Sequence, residues 1–263
     1  MSFLIILHNM IIRKIKREDL DNAAKVMVEA MNANLEGAKI TFNLFLELGE
    51  CLLAEEEGEI IATACYIPYK ILSWIGNVAV KPRYQRKGYG KRLMSELLKL
   101  ISTKVIRLDS TTEGYRLYRS LGFIEEYETI LYELRDLKGS NNVKTSDKLE
   151  DWMMDLDKKA FGDDRGKLLG RINGLILYTQ GGYGILSRNI LGPLVAEDDF
   201  IAESIIRKAV ELGARIIITI EDKTEFIEDL GGRRLYTCTR MMLGESINEN
   251  RSLIYGIYRY AFG

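Results

Sequence analysis

Residues 74–100, WIGNVAVKPRYQRKGYGKRLMSELLKL, restrict the fold of this chain more than any other stretch. The apolar run at 75–80 reads as a buried strand that Pro82 stops. Leu93, Met94, Leu97, Leu98 and Ile101 recur at helical spacing, so an amphipathic helix follows. Between strand and helix stands QRKGYG: Gln85, Arg86, Lys87, Gly88, Tyr89 and Gly90. Glycines at 88 and 90 let the main chain approach a ligand without a Cβ in the way. The N–H groups that open the helix, helped by its dipole, form a cradle for an anion. Lys81, Arg83, Arg86, Lys87, Lys91 and Arg92 add six positive charges between 81 and 92, with no acid among them. A strand, a glycine loop and a helix of this make predict a phosphate site.

This stretch has neither the GxxxxGK[ST] nor the GxGxxG pattern of the common nucleotide loops. The formal net charge of -1 makes the basic cluster a local feature and excludes a protein that coats nucleic acid. At 263 residues, 47% hydrophobic and 29% charged, the chain is long enough for two soluble domains with sizeable cores. Cys51, Cys65 and Cys238 are scattered and read as reduced core residues, neither a disulfide frame nor a metal site. His8 is the single histidine, so histidine triads and histidine-rich metal centres are not expected. MSFLIILHN is too short to span a bilayer and lacks the basic start and cleavage site of a signal peptide. Met10 opens a more ordinary beginning, and the nine residues before it read as a short extension. No other run is long enough for a membrane helix, so a cytoplasmic protein is expected.

In chain order, residues 11–15 read as a strand, and Asp19 caps an amphipathic helix that runs through Met31. A short helix around 42–48 carries Phe42 and Phe45. Runs 51–56 and 60–67 form a hairpin turning at Gly58, and 105–110 is another strand. EGYRLYRSLGF follows as a helix that Gly122 ends in a left-handed cap, and 125–134 reads as the last hairpin strands.

The order strand, [QR]xxGx[GA], helix resembles the acetyl-CoA signature of the GCN5-related N-acetyltransferase (GNAT) superfamily. LYRSLGF at 117–123 resembles that family's second signature, and the order of elements over 11–135 is the family's topology. The resemblance implies that the backbone amides of 85–90, with Lys91 beside them, hold the pyrophosphate of acetyl-CoA. It implies that Val78, Ala79 and Val80 offer backbone groups to the thioester and pantetheine, and that Tyr118 donates a proton to the leaving sulfur. A phenol with its ordinary pKa of about 10 is protonated at neutral pH and can do so. Many family members carry a carboxylate on the central strand as the base; here IGNVAV has Gly76 and Asn77 instead. Deprotonation of the amine through water, through Glu113 or Asp109, or before binding all stay open.

LKGSNNVKTSDK reads as a linker, and beyond it the pattern restarts. Residues 149–160 match the first helix, 167–172 the second, and 175–179 with 183–188 the hairpin. ILGPLVAEDDFIAESIIRKAVELG parallels the opening stretch with Gly192 against Gly76. Gly76 to Leu121 spans 45 positions (121 − 76) and Gly192 to Leu230 spans 38 (230 − 192), so the copy is seven shorter across the loop. Glu197, Asp198 and Asp199 stand at the junction and would repel a pyrophosphate, and Ile227 replaces the tyrosine. The final IYGIYRYAFG reads as a buried last strand.

The expected fold is α/β (α+β): two tandem GNAT-like domains, each a mixed, mostly antiparallel twisted sheet flanked by helices, with a V-shaped splay at the central strand. Residues 10–137 form the acetyl-CoA-binding domain, 138–148 the linker and 149–263 a degenerate copy. The expected function is transfer of acetyl from acetyl-CoA to a small-molecule or peptide amine, without metal, nucleic acid or membrane, by a monomer or homodimer. The alternative is a noncatalytic acyl-CoA-binding or sensing protein.

Overall fold

The computed structural model describes residues 10–263 apart from 136, 138, 140 and 141. His8 and the extension read at 1–9 lie outside the described residues, as does part of the linker. The N-terminal half opens with β1 (Met10–Lys14), α1 (Leu20–Met31) and α2 (Leu35–Leu48). α1 buries Ala23, Val26 and Met27 as their spacing requires. Asp19 precedes it but does not cap it with its side chain. Its carboxylate instead accepts the Lys16 N–H and pairs with Arg13 at 2.6 Å, because the cation is the stronger partner. α2 starts at Leu35, earlier than its aromatic pair suggests, because Asn34 caps it by accepting the Gly37 N–H at 2.9 Å. β2 (Glu50–Glu56) and β3 (Glu59–Pro68) form the expected hairpin, whose Glu57 and Gly58 take φ of 50° and 80°. Then come β4 (Leu72–Val80), α3 (Tyr89–Leu100), β5 (Val105–Ser110), α4 (Thr112–Ser120) and β6 (Ile124–Glu133). Gly122 takes φ 92° after α4, as its cap role requires.

The second half repeats the plan in β7 (Lys144–Ser146), α5 (Asp151–Phe161), α6 (Gly166–Leu169), β8 (Leu175–Thr179) and β9 (Gly182–Ser187). It continues through β10 (Ile190–Ala196), α7 (Asp199–Glu211), β11 (Ile216–Ile220), α8 (Thr224–Asp229) and β12 (Arg233–Gly244). A short β13 (Ile254–Gly256) leads to the tail. The helix expected at 167–172 is a single turn. Cys51 and Cys65 face each other across β2 and β3, and with Cys238 they are free, buried thiols. Among the described residues no helix is long and apolar enough to cross a membrane. Nor does any group of three or more His, Cys, Asp and Glu residues there gather as metal ligands would.

The halves share one sheet, ordered β1-β2-β3-β4-β5-β12-β6-β11-β10-β9-β8-β7. Each half is mostly antiparallel, and each gives its long last strand to the other. β12 pairs with β5 through Arg240 opposite Asp109, while β6 pairs with β11 through Ile218 opposite Leu131. The hairpin expected at 125–134 is therefore one strand. EEYETILYEL holds no Gly, Pro, Asn or Asp to turn on, and both edges of β6 find partners in the second half.

The central strand of each half peels away from its parallel neighbour. β4 pairs with β5 only from Leu72 to Trp74, and β10 with β11 only at Ile190 and Leu191. Each also carries a bulge against its hairpin partner. On β4, Gly76 faces Cys65 but Ala79 faces Thr63; on β10, Leu191 faces Leu186 but Leu194 faces Gly184. Register thus matches Gly192 with Asn77, one residue from the sequence-based match with Gly76.

The tail is a connecting thread rather than a simple last strand. β13 enters the second splay, pairing Leu194 with Gly256 on β10, and the Ile257 N–H donates to Ile218 of β11 at 2.8 Å. The chain then crosses β10 at Gly192 and β4 at Gly76. A Cβ at Gly192 would stand 2.2 Å from the Ile257 carbonyl oxygen, and one at Gly76 would stand 2.5 Å from that of Ala261. Gly192→Val is expected to lower stability by about 3 kcal/mol, read from the urea midpoint, because both clashing partners are main chain.

A buried ion pair holds the tail down. Arg165 donates to Asp157 at 2.8 and 2.9 Å and to the Gly263 carbonyl at 2.7 Å, and the Tyr183 hydroxyl donates to Asp157 at 2.5 Å. Arg165 and Asp157 side chains are 4% and 2% exposed, so neither charge has water to fall back on. Asp157→Asn leaves the guanidinium buried without its counter-ion. A loss of about 3–5 kcal/mol in denaturant unfolding is expected.

Candidate active site

After β4, a 3₁₀ turn over Pro82–Tyr84 carries the chain into the glycine loop. Gln85 folds back, its amide donating to the Val80 carbonyl at 2.9 Å. Arg86 and Gly88 take φ of 60° and 91°, which coils the loop tightly. Among the described residues no acceptor meets the N–H groups of residues 86–91. The first helical N–H used internally is that of Arg92, to the Gly88 carbonyl at 3.1 Å. Gly88 stands at the helix N-cap position with no side-chain cap, and no acid sits in the first turn. These donors and the α3 dipole make a site for an anion.

The charges around the loop differ from the sequence reading. Two of the six cations are already engaged by acids distant in the chain. Lys81 pairs with Glu59 at 2.8 Å and Glu29 at 3.1 Å, and Arg83 also pairs with Glu59. Hydrogen bonds from Lys81 above all, with Tyr84 and Arg83, hold the Glu59 carboxyl down at about 2. Arg86, Lys87, Lys91 and Arg92 are exposed and form no ion pair among the described residues. Tyr89 has its ring buried, and its hydroxyl donates to Glu56, which pushes the phenol up to about 12. Its part at the loop is therefore its main-chain N–H. Gly90 brings the pieces together: a Cβ there would lie 3.3 Å from Val80 and 3.5 Å from Leu117 of α4.

Along β4, Val80 and Ala79 lie in register with Ala62 and Thr63, whereas Val78 falls within the bulge beside Asn77. Asn77 takes φ 50°, a conformation asparagine tolerates better than most residues. Thr63 donates to its carbonyl at 2.9 Å, and its amide donates to the Thr41 hydroxyl at 3.1 Å, which donates in turn to Ala38. The bulge is thus tied to α2, with an amide where the sequence already lacked a carboxylate. Past Trp74, the edge of β4 that would pair with β5 is open.

Tyr118 stands beyond the end of β5, with its ring edge-on to Phe123 at 5.9 Å. Gly114 admits it, since a Cβ there would meet the Tyr118 ring at 2.9 Å. Burial holds the phenol well above its ordinary range, and the neighbouring Cys238 adds a smaller push. Through Gly90, which neighbours Val80 and Leu117, the loop adjoins both β4 and the helix that carries Tyr118.

The two carboxylates considered as bases part company here. Asp109 is fully buried and receives Arg240 at 3.1 and 2.9 Å, with the Thr129 hydroxyl at 3.0 Å. Arg240 also lies over Trp74 at 4.5 Å. Asp109 is thus a structural anchor rather than an open base. Glu113 lies exposed in the first turn of α4.

Sequence reasoning missed that the second half also lines this splay. Cys238 and Tyr236 arrive on β12, and Tyr260 arrives on the tail, its ring 6.5 Å edge-on from Tyr236. No local signal marks them, because strand pairing between halves leaves no motif in either strand. The second half's own splay holds β13. At its helix start, Asp198 accepts the Ile201 N–H at 2.8 Å, taking the place an external anion would need. Ile227 is fully buried where the tyrosine would stand.

Two family models match the chain, both described as an acetyltransferase (GNAT) domain, over residues 47–125 and 153–256. A solved Pyrococcus horikoshii chain bearing an acetyltransferase designation is 36% identical with a TM-score of 0.93; the match covers 98% of this chain and 97% of that one. A GCN5-related N-acetyltransferase from Sphaerobacter thermophilus shares the fold at 11% identity and TM-score 0.62, covering 92% and 98% of the two chains. A UPF0039 protein of Schizosaccharomyces pombe is 34% identical over 84 residues, 30% of this chain and 56% of that protein's length.

Proposed function

This chain belongs to the GNAT acetyltransferase family as a tandem two-domain member, and on that premise we propose that its N-terminal half acetylates a primary amine. Acetyl-CoA is the donor, and the amine attacks its thioester directly. The carrying observation is the run of N–H groups at 86–91 that meet no acceptor among the described residues, following a strand that leaves its β5 partner past Trp74. Residues 85–91 hold the pyrophosphate through main-chain donors, with Arg86, Lys87 and Lys91 adding charge. Val78, Ala79 and Val80 take the pantetheine arm along the free edge of β4.

The thioester supplies an activated acetyl group, and the chain orients it and moves protons. A C–N bond forms as the C–S bond breaks, and Tyr118 gives its hydroxyl proton to the departing sulfur. The attacking nitrogen needs its lone pair, so the amine reacts neutral. Asn77 cannot take a proton, Asp109 is committed to Arg240 and Glu113 is exposed to water, so the amine proton goes to solvent. The division into 10–137 and 149–263 follows the repeat, and within the joining stretch 138–148 Lys144–Ser146 forms β7, which pairs with β8 of the second half. In this reading the second half binds no coenzyme A.

Calorimetric titration with acetyl-CoA and with CoA tests this reading. One site per chain is expected for each, followed by thiol release when amines are added. Binding to neither ligand ends both the transferase reading and the acyl-CoA-sensing alternative.

A further inference from the structure

Resting on the acetyltransferase reading above, we propose that Tyr260 of the C-terminal tail positions the acceptor, and that the acceptor is a primary amine on an aromatic or apolar body. The tail lies directly on the central strand. The Ala261 main chain meets β4 at Gly76, one residue before the bulge, and the Tyr260 carbonyl accepts the Trp74 indole N–H at 3.0 Å. The backbone of this segment is therefore fixed against the reacting strand, and its side chain is held with it.

The Tyr260 hydroxyl is buried and has no hydrogen-bond partner of good geometry among the described residues. Such a group calls for an explanation, since an unpaired buried hydroxyl is costly and few survive in native folds. Its neighbours satisfy it poorly. The Cys238 thiol beside it is at best a weak hydrogen-bond partner, and both Asp109 oxygens already accept from Arg240. Burial also keeps Tyr260 and Cys238 protonated, each pushed well above its ordinary value. What remains is a neutral phenol whose oxygen can accept an N–H brought in by a ligand.

That is what a neutral amine nucleophile needs. One N–H donated to the Tyr260 oxygen fixes the nitrogen and aims its lone pair at the thioester. The surroundings select its body. Tyr236, 43% exposed, stands edge-on to Tyr260 and presents a ring toward solvent. Of the two carboxylates near Tyr236 and Cys238, Asp109 is neutralised by Arg240 and Glu113 is exposed to water, so a polycation finds no buried counter-charge.

Thiol release from acetyl-CoA is measured with phenethylamine and, separately, spermidine as probe acceptors, using wild type and Tyr260→Phe. Phenylalanine keeps the ring and removes only the oxygen. The expected result is turnover of phenethylamine in preference to spermidine, and a rise of about tenfold in the phenethylamine KM in the variant. Calorimetric CoA affinity and thermal midpoint stay at wild-type values. An unchanged phenethylamine KM, a preference for spermidine, no turnover of phenethylamine, or CoA affinity falling in step each overturns the assignment while leaving the cofactor reading intact. Wild type that binds no acetyl-CoA ends that reading, and this assignment with it.

Discussion

Gly88→Val reduces CoA and acetyl-CoA binding by at least about 100-fold, or about 2.7 kcal/mol. Gly88 sits at φ 91°, in the left-handed region, and immediately precedes α3. A β-branched residue held there costs on the order of 1–3 kcal/mol of backbone strain, so the loop shifts to relieve it. The shift rotates the N–H groups at 86–91 away from a common anion, and among the described residues those groups have no partner to hold them. Because Gly88 is exposed, the thermal midpoint moves little while titration heats vanish. Wild-type affinity in the variant would remove the loop from the site.

Tyr118→Phe is expected to lower kcat by about 100-fold with the acetyl-CoA affinity within about twofold of wild type. The ring packs against Phe123 and Gly114 whether or not the oxygen is present, so the variant folds. Only the proton for sulfur is lost. Burial raises the phenol's pKa, so the acid form is populated through the neutral range and above it. Rising pH therefore takes nothing from this group until well past its ordinary value, and the acetylation rate shows no alkaline fall from Tyr118. A noncatalytic sensor behaves differently. It has no turnover to lose, and the substitution then leaves acyl-CoA affinity as the unchanged readout. An acetylation rate undiminished in the variant would overturn the acid role.

The features legible in the sequence are those that a backbone needs within a few residues. Gly88 and Gly122 mark left-handed positions, and both occupy them. The run from Leu93 to Leu97 marks the buried face of α3. The repeat also announced itself, since β8, β9, β10, α7 and β11 follow the order of the first half. The different helix start of the second half was also readable, because an acid placed there can cap the helix with its own carboxylate. Asp198 caps α7 with its own carboxylate.

Other features depended on which strands meet. The basic cluster looked uniformly free, yet Glu59 and Glu29 approach it from the hairpin and α1. Asp109 looked available until Arg240, 131 residues away, arrived opposite it on β12. The apolar tail looked like a closing strand, yet only three residues of it pair as one.

The sequence by itself determined the glycine loop before α3, the position of Tyr118, the twofold repeat and the acidic helix start of the second copy. Only the tertiary structure decided that β6 and β12 change places, that β13 fills the second splay, and that the main chain of Tyr260 and Ala261 lies against β4. The reason is physical. Caps, turns and helical faces are local demands that specific residues meet. A strand edge offers the same row of N–H and C=O groups to any partner, so alternation reveals a strand but not its neighbour.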